Sequence, residues 1–178
     1  MITANVYVMD VITGKDKWIT LPCDDIDSEL SEMDKEEVII VDSENTPFDV
    51  GSDIFKTNET LKACASFGID DPGMLEAICM VCGYTAIDDE ELTNSLNAGE
   101  LTVYAVRQNW PALSADEKAA CYLATEKYIP FGDLKDSDLV LVEDKLVDFL
   151  DWNVVWDDYM SQGYGCAEVD SVTYIVLV

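Results

Sequence analysis

The sequence predicts an α+β protein made of three small modules. Two observations support this: β-rich segments sit at both ends of the chain, and a middle stretch is punctuated by helix caps and glycine stops. A third observation, acidity in every part of the chain, sets the character of the surface. The chain has 178 residues, enough for one sizeable domain or a few modules around modest cores. Its 49% apolar and 10% aromatic content are globular values, unlike those of an acidic disordered tail.

Residues 4–12 (ANVYVMDVI) read as a first strand, and Thr13-Gly14-Lys15-Asp16 turns into a second, Lys17 to Leu21, closed by Pro22. Cys23 to Asp34 reads as a short acidic helix capped at Asp24 or Asp25, with Ile26, Leu30 and Met33 as its apolar stripe. Glu37 to Val41 (EVIIV) is a third strand, and residues 42–56 form a loop. Asn58 is expected to cap a helix that runs to Phe67 and stops at Gly68. Asp70-Asp71-Pro72 opens a second helix ended by Gly83, and Asp88 opens a third ended near Gly99. Leu101 to Val106 reads as a strand, and Ser114-x-x-Glu117 is a capping box opening a helix to about Tyr128. Two helices meeting near Asp151 are expected after Gly132. Cys166–Val169, an Asp170-Ser171 turn and Val172–Val178 then form a closing hairpin whose last strand is covered. The modules are an N-terminal α+β module over 1–57, a central helical module over 58–100 and a C-terminal α+β module over 101–178.

The net charge is −27, from 37 acids and 10 bases. Residues 1–60 carry −11, 61–110 carry −6 and 111–178 carry −10, so no part is basic. Duplex DNA carries one charge per roughly 1.7 Å of axis, so this charge matches about 46 Å of duplex. A compact chain of this length has a radius of gyration near ~16 Å. Duplex-like charge is thus held over a duplex-like length, at a cost in self-repulsion that salt relieves. Halophilic adaptation or plain solubility is the bland account of the same charge.

The densest stretch, Gly132 to Asp158, holds the carboxylates Asp133, Asp136, Asp138, Glu143, Asp144, Asp148, Asp151, Asp157 and Asp158 against Lys135 and Lys145. Leu139, Leu146, Phe149, Leu150 and Trp156 recur at helical spacing, so one face can bury while the other presents acids. With the run Asp88, Asp89, Glu90 and Glu91, these carboxylates form the candidate functional surface.

Catalytic chemistry finds little support. Histidine is absent, which removes the usual general base and the commonest metal ligand. Cys79-x-x-Cys82 falls inside a helix, has no second pair and no nearby base, and reads as core packing. Glu90-Glu91 and Asp157-Asp158 could bind Mg²⁺ weakly, but paired acids are expected by chance at this acidity. No catalytic set, metal or cofactor is expected. Six cysteines without a secretion signal fit reduced thiols in the cytoplasm. Nothing is long and apolar enough for a bilayer span, and anionic lipid would repel this surface. Trp152, Trp156, Tyr159, Tyr164 and Tyr174 gather near the C-terminus, where they read equally as a module core or as a subunit interface.

Several segments carry a family resemblance. They are Val6-Tyr7-Val8, Trp18-Ile19-Thr20-Leu21-Pro22, the run Glu37 to Glu44 with Pro47-Phe48, Asn58-Glu59-Thr60-Leu61, Leu146 to Asp151, and Val172 to Val176. In order and position these resemble the ArdA-type antirestriction proteins of conjugative elements and phages. The first hairpin is shorter than is usual there, and residues 107–113 look like an added loop. The resemblance implies an elongated, curved homodimer joined through the C-terminal module, with Trp152, Trp156, Tyr159 and Tyr174 as interface candidates. It implies carboxylates imitating the phosphates of bent B-form DNA. The partner would be the DNA-binding groove of a type I restriction–modification methyltransferase, without direct nucleic-acid binding. A second class of reading is an acidic decoy or chaperone for other basic proteins. A metal-dependent hydrolase is a third, weakened by the missing histidine.

Overall fold

The computed structural model describes residues 1–44, 46–108, 110–127, 129–132 and 150–178. They form a mixed α+β protein with two small antiparallel sheets, and the chain divides into two compact units, Met1–Leu101 and Thr102–Val178. The seam expected at 57/58 lies inside a helix of the first unit. No described helix is long and apolar enough to cross a membrane.

The first unit opens with β1 (Ala4–Asp10) between β2 (Asp16–Leu21) and β3 (Val38–Glu44), all antiparallel. Along β1 the inward row is Ala4, Val6, Val8 and Asp10, while Asn5, Tyr7 and Met9 stay partly exposed, the two-residue period of a half-covered strand. Val6 pairs with Ile19 and Val8 with Ile40, and a bulge between Tyr7 and Val8 adds Val41 to β3. The strand ends at Asp10, short of the expected Ile12, because the Asp10 carboxylate rebuilds the chain behind it as a turn. It accepts the N–H groups of Ile12 and Thr13 at 2.9 Å and the Thr13 hydroxyl at 2.6 Å. It also accepts the Asp34 N–H at 2.9 Å, fastening the distant segment before β3.

The acidic helix expected over 23–34 is reduced to α1 (Ile26–Glu29), followed after a turn by the 3₁₀ turn Lys35–Glu37. Asp25 caps α1 through the Ser28 N–H. The pairs Asp24/Asp27, Asp25/Glu29 and Glu29/Glu32 fall at like-charged helical spacings and Ser28 and Ser31 are modest helix formers, so continuation gains little. Only Leu30 of the predicted stripe is buried.

Three capped helices complete the unit: α2 (Ile54–Phe67), α3 (Pro72–Cys82) and α4 (Glu90–Ala98). As the sequence predicts, α3 starts at Asp71-Pro72 and stops at Gly83, whose φ of 79° a side chain would oppose. α2 starts earlier than expected. Asp53 is its cap, accepting the N–H groups of Phe55 and Lys56 at 3.0 and 3.1 Å. Asn58 is instead buried one turn inside α2, where its amide serves a tertiary contact. Its Oδ1 accepts the Cys23 N–H at 2.7 Å and its Nδ2 donates to the Cys23 carbonyl at 3.1 Å. One side chain thus satisfies both backbone groups of the residue after Pro22, as a neighbouring strand would. α2 meets α4 around buried Leu61, Leu92 and Leu96, with the Thr60 and Thr93 hydroxyls 2.6 Å apart.

The second unit places β6 (Val172–Leu177) between β4 (Thr102–Val106) and β5 (Tyr164–Val169). Tyr174, Ile175 and Val176 are buried, as expected for a covered last strand. The β5–β6 hairpin turns at Asp170 and Ser171, both with positive φ (48° and 66°), the geometry of a two-residue mirror-image turn. Two helices, α5 (Ala115–Thr125) and α6 (Trp152–Ser161), pack together within this unit. The predicted Ser114/Glu117 capping box is formed. Small residues of α5 (Ala119, Ala120, Cys121 and Ala124) leave room for Trp152, Trp156 and Tyr159 of α6, and the cluster closes on Ile175.

Candidate functional site

The sheets and helices hold nearly every described acid at the surface. Among the described residues, all carboxylates are exposed or half-buried except Asp10. The ion pairs among those residues are Lys17–Glu29 and Lys35–Asp27 at 2.6 Å and Lys118–Glu168 at 3.6 Å. Lys15 spends its ammonium on the Glu32 carbonyl, and Lys17 also donates to the Glu29 carbonyl. Both line a cleft of about 490 Å³ between the β1–β2 turn and α1. Among the described residues the acids far outnumber these pairs, and the field of such a surface extends outward as far as ionic strength allows.

Of the sequence-predicted acids, Asp133, Asp136, Asp138, Glu143, Asp144 and Asp148 lie outside the described residues. Asp151 is the exposed N-cap of α6, and its side chain makes no capping hydrogen bond. From that cap, α6 turns Trp152, Val155, Trp156 and Tyr159 inward and Asp157 outward. Asp158 is half-buried and accepts the Gly132 N–H at 3.0 Å and the Gln162 amide at 2.9 Å, tying Gly132 to α6.

The second run divides by role. Glu90 and Glu91 are exposed in the first turn of α4, where the helix N-terminus favours negative charge. Asp89 caps that helix through the Glu91 N–H at 2.8 Å. Asp88 reaches into the loop before α2: its Oδ2 accepts the N–H groups of Ser52 and Asp53 at 2.9 and 3.1 Å. The carboxylate fills the place a side chain at Gly51 would take, since a β-carbon there would lie 2.0 Å from Asp88 Cγ. Asp88 and Asp89 are thus fixed anions, held by the backbone groups they satisfy.

A further acidic set stands outside the candidate surface that the sequence points to. Asp24, Asp25, Asp27, Glu29, Glu32, Asp34 and Glu36 are all exposed around α1 and the 3₁₀ turn. The charge of −11 over residues 1–60 was the signal that could have marked them.

The aromatic candidates are accounted for within one chain. Trp152, Trp156, Tyr159 and Tyr174 are buried in the second unit, and the Tyr159 hydroxyl donates to the Ile129 carbonyl at 2.6 Å. Of the two readings left open for these rings, the structure supplies the module core.

Cys64, Cys79 and Cys121 are buried, and Cys23, Cys82 and Cys166 are half-buried. All six cysteines are free. Burial pushes the Cys64 and Cys79 thiols up to about 12, each helped by neighbouring thiol or carboxylate charge. Cys82, half-buried, is raised by the same cause. Such groups are protonated at neutral pH and poor as nucleophiles. Asp10 is held well below the usual carboxylate range, first by the Asp34 N–H and then by the Thr13 hydroxyl and the turn N–H groups. Glu117 is lowered by the Ser114 N–H and hydroxyl and also accepts the Asn153 amide at 3.2 Å, linking α5 to α6. No three Cys, Asp or Glu side chains gather as a metal-binding group among the described residues.

No family model matches the chain, and no curated protein or solved structure is significantly similar to it.

Proposed function

We propose that this protein is a non-enzymatic inhibitor that imitates the charge of B-form DNA and occupies the DNA-binding groove of a type I restriction–modification enzyme. The carrying observation is the placement of its acids: across both units the described carboxylates, Asp10 excepted, stand exposed or half-buried at the surface, and lysines pair with Asp27, Glu29 and Glu168. Many are set on rigid positions (the caps Asp25, Asp53, Asp71 and Asp89, and the first turn of α4), so their spacing is fixed before binding. The resemblance of the chain's segments to ArdA-type proteins directs the reading toward restriction enzymes. The elongated three-module form, the homodimer through the C-terminal module and the cytoplasmic setting belong to the same proposal.

A basic groove shaped for DNA would gain counterion release from such a surface much as from a duplex. Attraction at long range would speed the encounter. Because many carboxylates share the work, replacing any one by its amide costs little, whereas neutralising a block costs much more.

Competition tests the proposal. A type I methyltransferase is loaded with labelled DNA and titrated with the protein at low salt and again at high salt. Displacement that weakens as salt rises is the expected result. Unchanged DNA occupancy at excess protein and low salt rejects it. Small-angle scattering of the free protein tests the extended dimer.

A further inference from the structure

One face of the first unit is not uniformly acidic. On the outer side of its sheet, Tyr7 of β1 lies directly opposite Trp18 of β2, with ring centroids 5.2 Å apart. One step along the same face, Met9 lies opposite Ile39 of β3. Trp18 is 46% exposed, Ile39 38% and the bulge residue Val41 43%. Large apolar side chains displayed together on one face mark interaction sites more often than scattered ones do.

Acids border this patch. Asp16 lies opposite Met9 on the other flank, and its carboxylate raises the pKa of the Tyr7 hydroxyl. Asp42 lies opposite Tyr7. The neighbouring lysines 15 and 17 are engaged with α1 and the turn after it and do not offset these charges.

Charge selects the occupant. A second copy would set Asp16 and Asp42 against acids of another chain carrying −27, and nucleic acid or anionic lipid would be repelled in the same way. Arginine matches each part of the patch. Its planar guanidinium stacks on indole and phenol rings, its fork fits the Asp16 carboxylate, and its stem covers Met9 and Ile39. Lysine meets the charge but lacks the plane and the fork.

We propose that the outer face of the β2-β1-β3 sheet is a docking surface for an arginine-bearing segment of a basic protein, with Trp18 as its anchor. The proposal rests on the reading above only for the sign of the partner's charge. It adds a local contact that does not depend on the summed field.

The test compares oligo-arginine and oligo-lysine peptides of equal length, titrated into the full chain at physiological ionic strength. Tighter binding of the arginine peptide is expected, with amide-shift changes concentrated in residues 4–21 and 38–44. Trp18→Ala should lower arginine-peptide affinity by about three- to thirtyfold, the range expected of a cation–aromatic contact, and lower lysine-peptide affinity by less, since lysine lacks the stacking plane. Equal affinity for the two peptides, shift changes spread over the whole acidic surface, or an unaltered Trp18→Ala variant would overturn the proposal. Self-association of the free chain abolished by Trp18→Ala would also overturn it, in favour of a second copy. The DNA-displacement assay separates the two readings. Arginine preference without displacement removes the DNA imitation and leaves the docking face. Displacement without arginine preference removes only the docking face.

Discussion

The contact between Asp88 and Gly51 can be tested as a thermodynamic cycle. Asp88 places one carboxylate oxygen on two backbone N–H groups, Ser52 at 2.9 Å and Asp53 at 3.1 Å, and occupies the space beside Gly51. A hydrogen bond to a charged group contributes about 1.5–3 kcal/mol. Because the two bonds share one oxygen at a half-exposed site, Asp88→Ala is expected to cost about 2 kcal/mol in total. Asp88→Asn keeps an acceptor while removing a charge beside Asp53 and Asp89, and should cost less than about 1 kcal/mol. Gly51→Ala brings two penalties. The first is left-handed backbone strain at φ 71°, about 1 kcal/mol. The second is eviction of the Asp88 carboxylate, which forfeits the same ~2 kcal/mol. Gly51→Ala should therefore cost about 3 kcal/mol in the parent and only about 1 in the Asp88→Ala background, a coupling of about 2 kcal/mol. Urea midpoints followed by far-UV circular dichroism, with native-state amide exchange at Ser52 and Asp53, provide the measurement. An equal cost of Gly51→Ala in both backgrounds would show that Asp88 is not seated against this loop.

Three more outcomes are expected. Asn58→Ala strands the Cys23 N–H and carbonyl, which are partly reachable by water, so a loss of about 2–3 kcal/mol in urea unfolding and faster exchange of the Cys23 amide should follow; a loss below about 0.5 kcal/mol would refute the clamp. The folded pKa of Asp10 is depressed, so its contribution is complete above the unfolded carboxyl value of about 3.9 and fades as pH falls through the lower folded value. The stability difference between the parent and Asp10→Asn should therefore stay level from neutrality to about pH 5 and shrink below about pH 4; a difference unchanged to pH 3 contradicts this. With thiols pushed up to about 12, Cys64 and Cys79 should resist iodoacetamide at pH 8 in the native state and label quickly in urea, which mass spectrometry of the peptides will show.

What the sequence made legible was set by range. Cap and stop signals act within one turn, and Asp71-Pro72, Gly83 and the Ser114/Glu117 box behave as their local chemistry dictates. The closing hairpin was readable for the same reason: Asp170-Ser171 is a turn pair between two apolar runs. Asn58 was misplaced because a buried amide and a helix cap use the same residue type. Only the distant Cys23 decides between the two roles, and no pattern in the sequence announces that partner. The helix over 23–34 was overextended because its apolar stripe was counted without its crowded acids. For the candidate surface, net charge was legible but roles were not. Asp10, Asp88 and Asp89 look like any other acid in the chain, yet they are committed to backbone groups. The acids around α1 are as visible in the sequence as the run after Gly132, whose members 133–148 lie outside the described residues.

The two units also differ in what they report to an observer. Trp152 and Trp156 are sealed in the second unit, whereas Trp18, the tryptophan of the first, already meets solvent. Emission on denaturation will mostly trace the second unit, while the helices α2, α3 and α4 of the first dominate the ellipticity lost with it. Each unit has its own sheet and interior, so the two curves are free to separate, and a single melting temperature read from fluorescence would leave the Asp88 and Asn58 region invisible.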